Sequence, residues 1–418
     1  KEGLMISIYR LLINLIIIFS PLIILIRLIK KKEDLKRYKE KFAFFSKKRT
    51  KGNLVWFHGA SVGELMSVIP LIEKLEKNKN IKQILVTTST LSSSKIFDKF
   101  KFIKTIHQFF PVDTNYLSQK FLNFWKPNLA IFIDSEIWPN MLTNLKKKSI
   151  NHILLNARIT KKSFKRWSIL GSFSENLFKG FNYTYPQNDE TKKYLKYFQV
   201  KKIKKIGNLK FSESTFGSNK SINLGLRKFL DNKKHWCAAS THEGEEVIAA
   251  NVHINLQKKI KNLVTIIIPR NIQRTQTIIN MFLQLGLKIH VHSNGKKIPK
   301  NTQIYIVDTY GESKTFFKIS KVVFLGKSLT VQGGQNPLEP ARFNCNILHG
   351  PNVSNFYEIY KLLDENKISF KINNQNQLTK KIKELLKKDI RSKNIDRKIK
   401  IIGEKILRET LIELKKFI

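Results

Sequence analysis

The stretch His58-Gly59-Ala60-Ser61-Val62-Gly63-Glu64 brings a histidine, a serine and a glutamate close together, spaced by two glycines. Before it, Leu54-Val55-Trp56-Phe57 reads as a short buried strand. After it, the apolar residues of Leu65–Leu75 recur at helical spacing. The stretch is therefore a strand-to-helix turn, where open α/β sheets bind their ligands. Gly59 and Gly63 permit a substrate to approach the backbone closely. Glu64, in the first helical turn at a cleft mouth, is placed to take a proton. The same letters also spell a capping box, Ser61-x-x-Glu64, in which Glu64 only accepts from a backbone N–H. Spacing leaves both readings open.

Other strand ends carry polar groups. Asp134-Ser135-Glu136-Ile137-Trp138-Pro139-Asn140 places two carboxylates at the edge of a first domain, although Glu136 could equally cap the helix that Pro139 helps to start. Lys210 lies in Gly207-Asn208-Leu209-Lys210-Phe211. In the second half, Ser240-Thr241-His242-Glu243 follows a strand, and Pro269-Arg270 sets a cation at a sheet's carboxyl edge. Gln332-Gly333-Gly334-Gln335-Asn336-Pro337-Leu338-Glu339 predicts a helix start with Asn336 as N-cap, Pro337 at N1 and Glu339 at N3. The glycine pair before it would leave backbone donors bare, the usual means of holding phosphate. An ordinary capped helix fits the same letters.

Three tempting motifs fail. Gly326-Lys327-Ser328 lacks the upstream glycine of a P-loop, because position 321 is lysine. His242-Glu243-Gly244-Glu245-Glu246 lacks the second histidine of a zinc-protease helix. No G-x-G-x-x-G opens either half.

The elements that must position these residues alternate along the chain. Strands are predicted at Leu54–Phe57, Ile84–Thr88, Ile106–Phe110, Leu129–Asp134, Ile153–Asn156 and, more weakly, Tyr183–Tyr185. A second series runs Trp236–Ala239, Leu263–Ile268, Ile289–His292, Ile304–Val307, Val322–Leu325 and Asn346–Leu348, with helices such as Tyr116–Trp125, Pro139–Lys147, Glu243–Lys259, Ile272–Leu285 and Tyr357–Leu363 between strands. Lys201–Asn219 reads as a linker and Gln377–Ile418 as two amphipathic helices. The expectation is two α/β domains with parallel strands and a cleft between them. The first would cover residues 32–212 and the second residues 213–418.

Ahead of both, Met5–Ile29 is almost wholly apolar, enough to span a bilayer with some tilt. The cations of Lys30–Lys41 would keep the rest of the chain on the cytoplasmic side. Pro21 leaves a helix lying in the interface as the alternative. Residues 1–31 are thus read as a membrane anchor.

With 418 residues the chain exceeds a single core, and 42% hydrophobic content is that of a folded protein. The two cysteines, Cys237 and Cys345, supply neither a disulfide framework nor a zinc cluster. Lys and Arg number 77 against 31 Asp and Glu, a net charge of +46. That excess favours polyanions, above all an anionic membrane face. A nucleic-acid-binding protein would interleave aromatics and cations on a recognisable binding fold, and no such pattern is found.

Taken in order, His58–Glu64, Asp134–Asn140, Asn156-Ala157-Arg158, Gly207–Lys210 and Gly333–Ala341 resemble the 3-deoxy-D-manno-octulosonic acid (Kdo) transferases of Gram-negative lipopolysaccharide synthesis. The resemblance covers nearly the whole chain. It implies a GT-B fold, with an acceptor domain over residues 32–212 and a CMP-sugar donor domain over residues 213–418. It also implies inverting transfer of Kdo from CMP-Kdo to lipid IVA, the lipid A precursor, by a metal-independent enzyme of the cell inner membrane. Glu64 corresponds to the family's catalytic base, and Glu136 with Lys210 to the pair that stabilises the transition state. Pro269-Arg270, Gly311-Glu312-Ser313 and Asn336-Pro337-Leu338-Glu339 correspond to its CMP-binding segments. The chain departs from the family pattern at Ser212, Asn271, Ser313 and Gln335. The expected partners are CMP-Kdo, lipid IVA and anionic lipids of the inner membrane, with no nucleic acid. The nearest alternative is a GT-B transferase of another activated sugar.

Overall fold

A computed structural model of the chain describes every residue except 1, 213, 215–221, 296, 389, 390, 392 and 393. The chain divides into two units: Lys1–Gly217 with Ile402–Ile418, and Ser218–Ile401.

The first unit holds six strands: β1 Leu54–His58, β2 Gln83–Thr88, β3 Thr105–Phe109, β4 Leu129–Ile133, β5 Asn151–Ala157 and β6 Tyr183–Pro186. They pair in parallel in the order β3-β2-β1-β4-β5-β6. β1, β2 and β4 are buried along their whole length, as a parallel sheet covered on both faces requires. Side chains alternate between two cores. Trp56 joins Phe121, Trp125 and Phe132 on one face; Val55 and Phe57 join Leu65, Ile69 and Ile72 on the other. Those last three lie on helix α2, Val62–Leu75, whose apolar stripe fits the sheet. Helix α1, Glu2–Ile29, precedes the sheet; its span Gly3–Ile29 is 27 residues long and apolar enough to cross a membrane.

The second unit holds β7 Lys234–Thr241, β8 Leu263–Pro269, β9 Ile289–Val291, β10 Ile304–Ile306, β11 Val322–Leu325, β12 Asn346–His349 and β13 Ser369–Lys371. Their order is β13-β12-β11-β7-β8-β10-β9, again all parallel. The twelve expected strands are present. The thirteenth, Ser369–Lys371, is too short and too mixed in character to leave a pattern.

In both sheets the chain builds outward to one side, then returns and builds to the other. The reversal falls between β1 and β4 in the first unit and between β7 and β11 in the second. At such points the loops leaving adjacent carboxyl ends diverge and open a crevice. Both sheets also carry non-glycine residues at positive φ at or just beyond these ends: Asp134 (61°), Asn156 (54°), Ser240 (54°) and Lys327 (56°). Such left-handed backbone is uncommon outside glycine and clusters at functional turns.

The tail does not keep to the expected boundaries. The Ile395–Leu414 helix begins in the second unit, but its part from Ile402 onward belongs to the first. Ile406 and Leu414 are buried in the core that holds Val55 and Phe57, which gives this apolar stripe its partner. Ser212 Oγ donates to the Gly403 carbonyl at 2.9 Å. The boundary expected at 212/213 meets residues 213 and 215–221, which lie outside the described residues.

A Cβ at Gly403 would lie 2.3 Å from the Phe211 carbonyl oxygen, a backbone atom that cannot swing away. Gly403→Ala should therefore destabilise the first unit by about 1–3 kcal/mol. The readout is the urea midpoint followed by tryptophan emission, since Trp56, Trp125, Trp138 and Trp167 lie in that unit and only Trp236 in the other. An unchanged midpoint would mean that the helix does not pack there.

Candidate active site

The β1–β4 crevice is built from the ends of its two strands. His58, the last residue of β1, is fully buried. Its Nδ1 lies 2.9 Å from Thr87 Oγ1 and its Nε2 lies 3.1 Å from Glu136 Oε2. Its ring stacks on Phe110 with centroids 3.8 Å apart. With the ring held from both sides, Nε2 faces the carboxylate and donates to it when it carries a proton. Trp138 Nε1 donates to the same oxygen at 2.8 Å. Burial pushes the Glu136 carboxyl up, but the hydrogen bond and charge of His58, together with the Trp138 bond, outweigh it and hold the group below the usual carboxylate range.

Glu64 stands on the neighbouring turn. The capping box is formed: Ser61 Oγ accepts from Glu64 N at 3.4 Å, and Glu64 Oε2 accepts from Ser61 N at 3.0 Å. The cap uses one oxygen and leaves Oε1 with no hydrogen bond to a described residue. Burial pushes the Glu64 carboxyl up to about 7, with the charges of Glu136 and Asp134 adding to the rise and the Ser61 bonds opposing it. The cap therefore leaves one carboxyl oxygen able to accept a proton. Gly59 serves this geometry directly, because a Cβ there would lie 3.0 Å from the Glu64 Cβ. At Gly63 a Cβ would meet only Ser61 Oγ, at 4.0 Å.

Lys210 and Asp134 complete the group. Lys210 Nζ lies 3.6 Å from Asp134 Oδ2, and both side chains are largely buried. Burial raises the Asp134 carboxyl above its ordinary value, with Lys210 and Arg158 opposing. The loop bearing Lys210 is tied down by Asn156, whose Oδ1 accepts from Leu209 N at 2.9 Å, and by Asn208, whose Oδ1 accepts from Lys210 N at 3.0 Å. Glu64, Glu136 and Lys210 thus gather on one sheet edge, a pair of unlike carboxyls beside a cation.

In the second unit the expected donor segments lie beyond the carboxyl ends of neighbouring strands. Pro269 ends β8, and Arg270 is exposed beyond it, its N–H donating to the Thr241 carbonyl at 3.0 Å. Gly311, at φ 83°, and Glu312 lead into the Ser313–Ile319 helix after β10. Glu312 Oε2 lies 3.0 Å from His292 Nε2. Asn336–Glu339 follows the loop leaving β11.

Two expectations about that loop need correction. Its helix is a single turn, Leu338–Ala341, with Pro337 at the N-cap rather than Asn336. Asn336 stands one residue further out, its Oδ1 accepting from Leu338 N at 3.1 Å. Glu339 is accordingly the second helical residue. Nor is Gly334 bare. Gly334 N donates to the Lys327 carbonyl at 2.8 Å, and a Cβ there would lie 2.9 Å from Val353 Cα. These glycines admit a neighbouring loop, and so small a helix concentrates little dipole at its tip.

Sequence reasoning passed over Glu245, set aside with the failed zinc motif. It is fully buried at the β7–β11 reversal and accepts four backbone N–H groups: His242 and Lys327 on Oε2 at 3.0 and 2.7 Å, Ser328 and Leu329 on Oε1 at 3.0 and 3.0 Å. Such charge-assisted bonds fix the loop after β11 against the turn after β7. His58 was read without a role because a lone histidine gives no sign of what it will face. Among the described residues, no group of three or more His, Cys, Asp or Glu is placed to hold a metal ion.

Comparison with known proteins gives a consistent picture. Residues 36–213 match the family described as 3-deoxy-D-manno-octulosonic-acid transferase (kdotransferase). The chain is 34% identical to the 3-deoxy-D-manno-octulosonic acid transferase of Rickettsia bellii, over 91% of each chain. It is 28% identical to that of Haemophilus influenzae, over 74% of each. Among solved structures, a glycosyltransferase from Rickettsia africae superposes with a TM-score of 0.58 at 11% identity, covering 88% of this chain and 99% of that one. That likeness concerns the fold alone.

Replacing His58 by alanine removes the Nε2–H from Glu136 and leaves burial less opposed. The Glu136 carboxyl should then titrate at higher pH than in the parent, read by NMR of side-chain-labelled glutamate. Stability should fall by about 1–3 kcal/mol as Thr87 and Glu136 lose their partner. An unmoved Glu136 titration would remove His58 from this role.

Proposed function

The chain belongs to the 3-deoxy-D-manno-octulosonic acid transferase family and is a GT-B glycosyltransferase, and on that premise we propose that it moves Kdo from CMP-Kdo to lipid IVA with inversion. The observation that carries the reading is the Glu64–Glu136 pair: two carboxyls on one crevice, driven apart in acidity by their surroundings. Groups separated in this way take different chemical parts.

Glu64 is the base. An acceptor hydroxyl is a poor nucleophile at neutral pH, and a carboxyl pushed up to about 7 is matched to accept its proton. The hydroxyl oxygen bonds to the anomeric carbon of Kdo as the bond from that carbon to the CMP phosphate oxygen breaks. The proton passes to Glu64, and CMP departs with the electron pair. Glu136, held ionised by His58 and Trp138, offers negative charge to the positive charge that builds on the sugar. Lys210, beside Asp134, supplies the balancing cation.

On the second unit, Pro269-Arg270, Gly311-Glu312-Ser313 and Asn336-Pro337-Leu338-Glu339 bind the nucleotide. Since the Leu338–Ala341 helix is only one turn, the phosphate charge falls chiefly to Arg270 rather than to a helix tip. Cationic side chains do here what a divalent ion does elsewhere, so the enzyme is metal-independent. Residues Gly3–Ile29 hold it at the inner membrane, with the catalytic units on the cytoplasmic side. The net charge of +46 attracts anionic lipid and the bisphosphorylated acceptor, each nearby cation contributing roughly 1 kcal/mol.

Mass spectrometry of lipid IVA incubated with CMP-Kdo tests the reaction: a Kdo adduct is expected, and its absence alongside transfer from a UDP-sugar would overturn the donor. Glu64→Gln keeps an oxygen for Ser61 N and should lose about 10²–10⁴-fold in turnover while CMP binding persists. Parent-like turnover would remove Glu64 as the base. The base must be ionised, so kcat/KM should drop as pH falls through about 7. Activity should survive EDTA; loss that Mg²⁺ restores would contradict the cationic account.

A further inference from the structure

We propose that α1 lies flat in one leaflet, alongside the first unit, rather than crossing the bilayer. The inference rests on the membrane-anchor reading above and says how that anchor sits. Both ends of α1 are fastened to the same folded unit. Near its start, Tyr9 Oη donates to Asp113 Oδ2 at 2.9 Å, and Arg10 Nε donates to Asn140 Oδ1 at 2.9 Å. Met5 and Ile6 pack on the core that holds Trp56. Near its end, Arg27 Nε donates to Glu33 Oε2 at 2.9 Å, and this buried carboxylate also takes Lys41 Nζ at 2.6 Å. Lys41 is itself part of the unit, its carbonyl accepting from Val112 N at 2.9 Å.

Between the fastenings, Ile13, Ile17, Ser20 and Ile24 are buried or half-buried at helical spacing, on the stripe that includes Tyr9, Arg10 and Arg27. The polar side chains that would be costly in lipid therefore face protein. Away from this stripe, every exposed residue from Leu11 to Ile29 is apolar except Asn14. Tyr9 and Arg27 stand 18 positions apart, about 27 Å along a helix. That nearly equals the roughly 30 Å of hydrocarbon in a bilayer. A spanning α1 would carry one fastening to the far face, where a folded domain cannot follow. Spanning thus means breaking either the Tyr9 and Arg10 contacts or the Arg27 contact. Lying in the interface keeps both and gives the outward face to acyl chains.

The surroundings suit an anionic leaflet. Lys30, Lys31, Lys32 and Lys36 are exposed directly after the helix, with Leu35 76% exposed among them. Asp113, which takes Tyr9, also accepts Asn140 N and Met141 N at 2.9 and 2.8 Å, at the start of the Pro139–Lys147 helix that follows Glu136 and Trp138. The anchor is thereby bolted to the element that leads out of the catalytic loop. An in-plane α1 fixes the height of that loop above the lipid surface.

The full chain, bimane-labelled through Leu15→Cys or Leu25→Cys, is bound to vesicles of phosphatidylethanolamine and phosphatidylglycerol with brominated acyl chains. Cys237 and Cys345 are buried and stay unlabelled. An in-plane helix gives the same fractional loss of fluorescence at both positions with bromines near the headgroup, and less with bromines near the chain end. A spanning helix quenches Leu15→Cys most strongly with deep bromines and Leu25→Cys with shallow ones, which would overturn the proposal. Protein left in the supernatant would sink the anchor reading itself. As a second readout, Gly3→Cys should react with an impermeant maleimide only in inverted inner-membrane vesicles. Reaction in intact spheroplasts would again overturn it.

Discussion

His58 ends β1 and Glu136 follows β4, so the bond between them ties together the two strands at which the first sheet reverses its direction of growth. The loops diverge there and leave the crevice without backbone pairing of its own. A side-chain link inside it must therefore hold against desolvation. Burial pushes the Glu136 carboxyl up; the His58 ring and the Trp138 indole outweigh it and hold the group below its ordinary range. Glu64 lacks such donors beyond its cap, and the ionised Glu136 raises it further. One hydrogen bond thus helps set the character of two carboxyls. If His58 were lost, both would drift towards the same acidity and the division of labour would fade.

The second unit solves the same problem with backbone donors in place of side-chain ones. At the β7–β11 reversal, Glu245 gathers four backbone donors and welds the loop after β11 to the turn after β7. Gly326 is part of this joint: a Cβ would lie 2.5 Å from the Ser240 carbonyl and 2.6 Å from Glu245 Oε2. The carboxylate is taken up in holding shape, while Arg270 beyond β8 stays exposed. The first unit thus gathers Glu64, Glu136 and Lys210 at its edge, and the second exposes Arg270 at its own.

Much of this was legible beforehand. Strands such as Leu129–Ile133 are continuous apolar runs bounded by polar turns, too short for a helix and suited to a buried parallel strand. Glu64, Glu136 and Arg270 could be singled out because each follows such a run; Lys210, in the stretch read as a linker, stood out only through the family resemblance. The Pro337 turn misled, because the backbone turns left-handed at Asn344 (φ 55°) and leads into β12 after a single helical turn. The last helix misled differently. Its stripe of Ile402, Ile406 and Leu414 says that it packs, but not against which core.

Sequence by itself therefore determined the alternation of strands and helices, the two sheets, the apolar leading helix and the family, since all of these are written in local periodicity or in short runs of adjacent letters. Tertiary structure alone decided that His58 reaches Glu136 across 78 positions, that Glu245 serves as a clamp, and that Tyr9 meets Asp113. Each depends on which strands lie side by side, a choice made by the packing of both sheet faces. The burial that follows from that choice is what gives two chemically identical carboxyls different acidities.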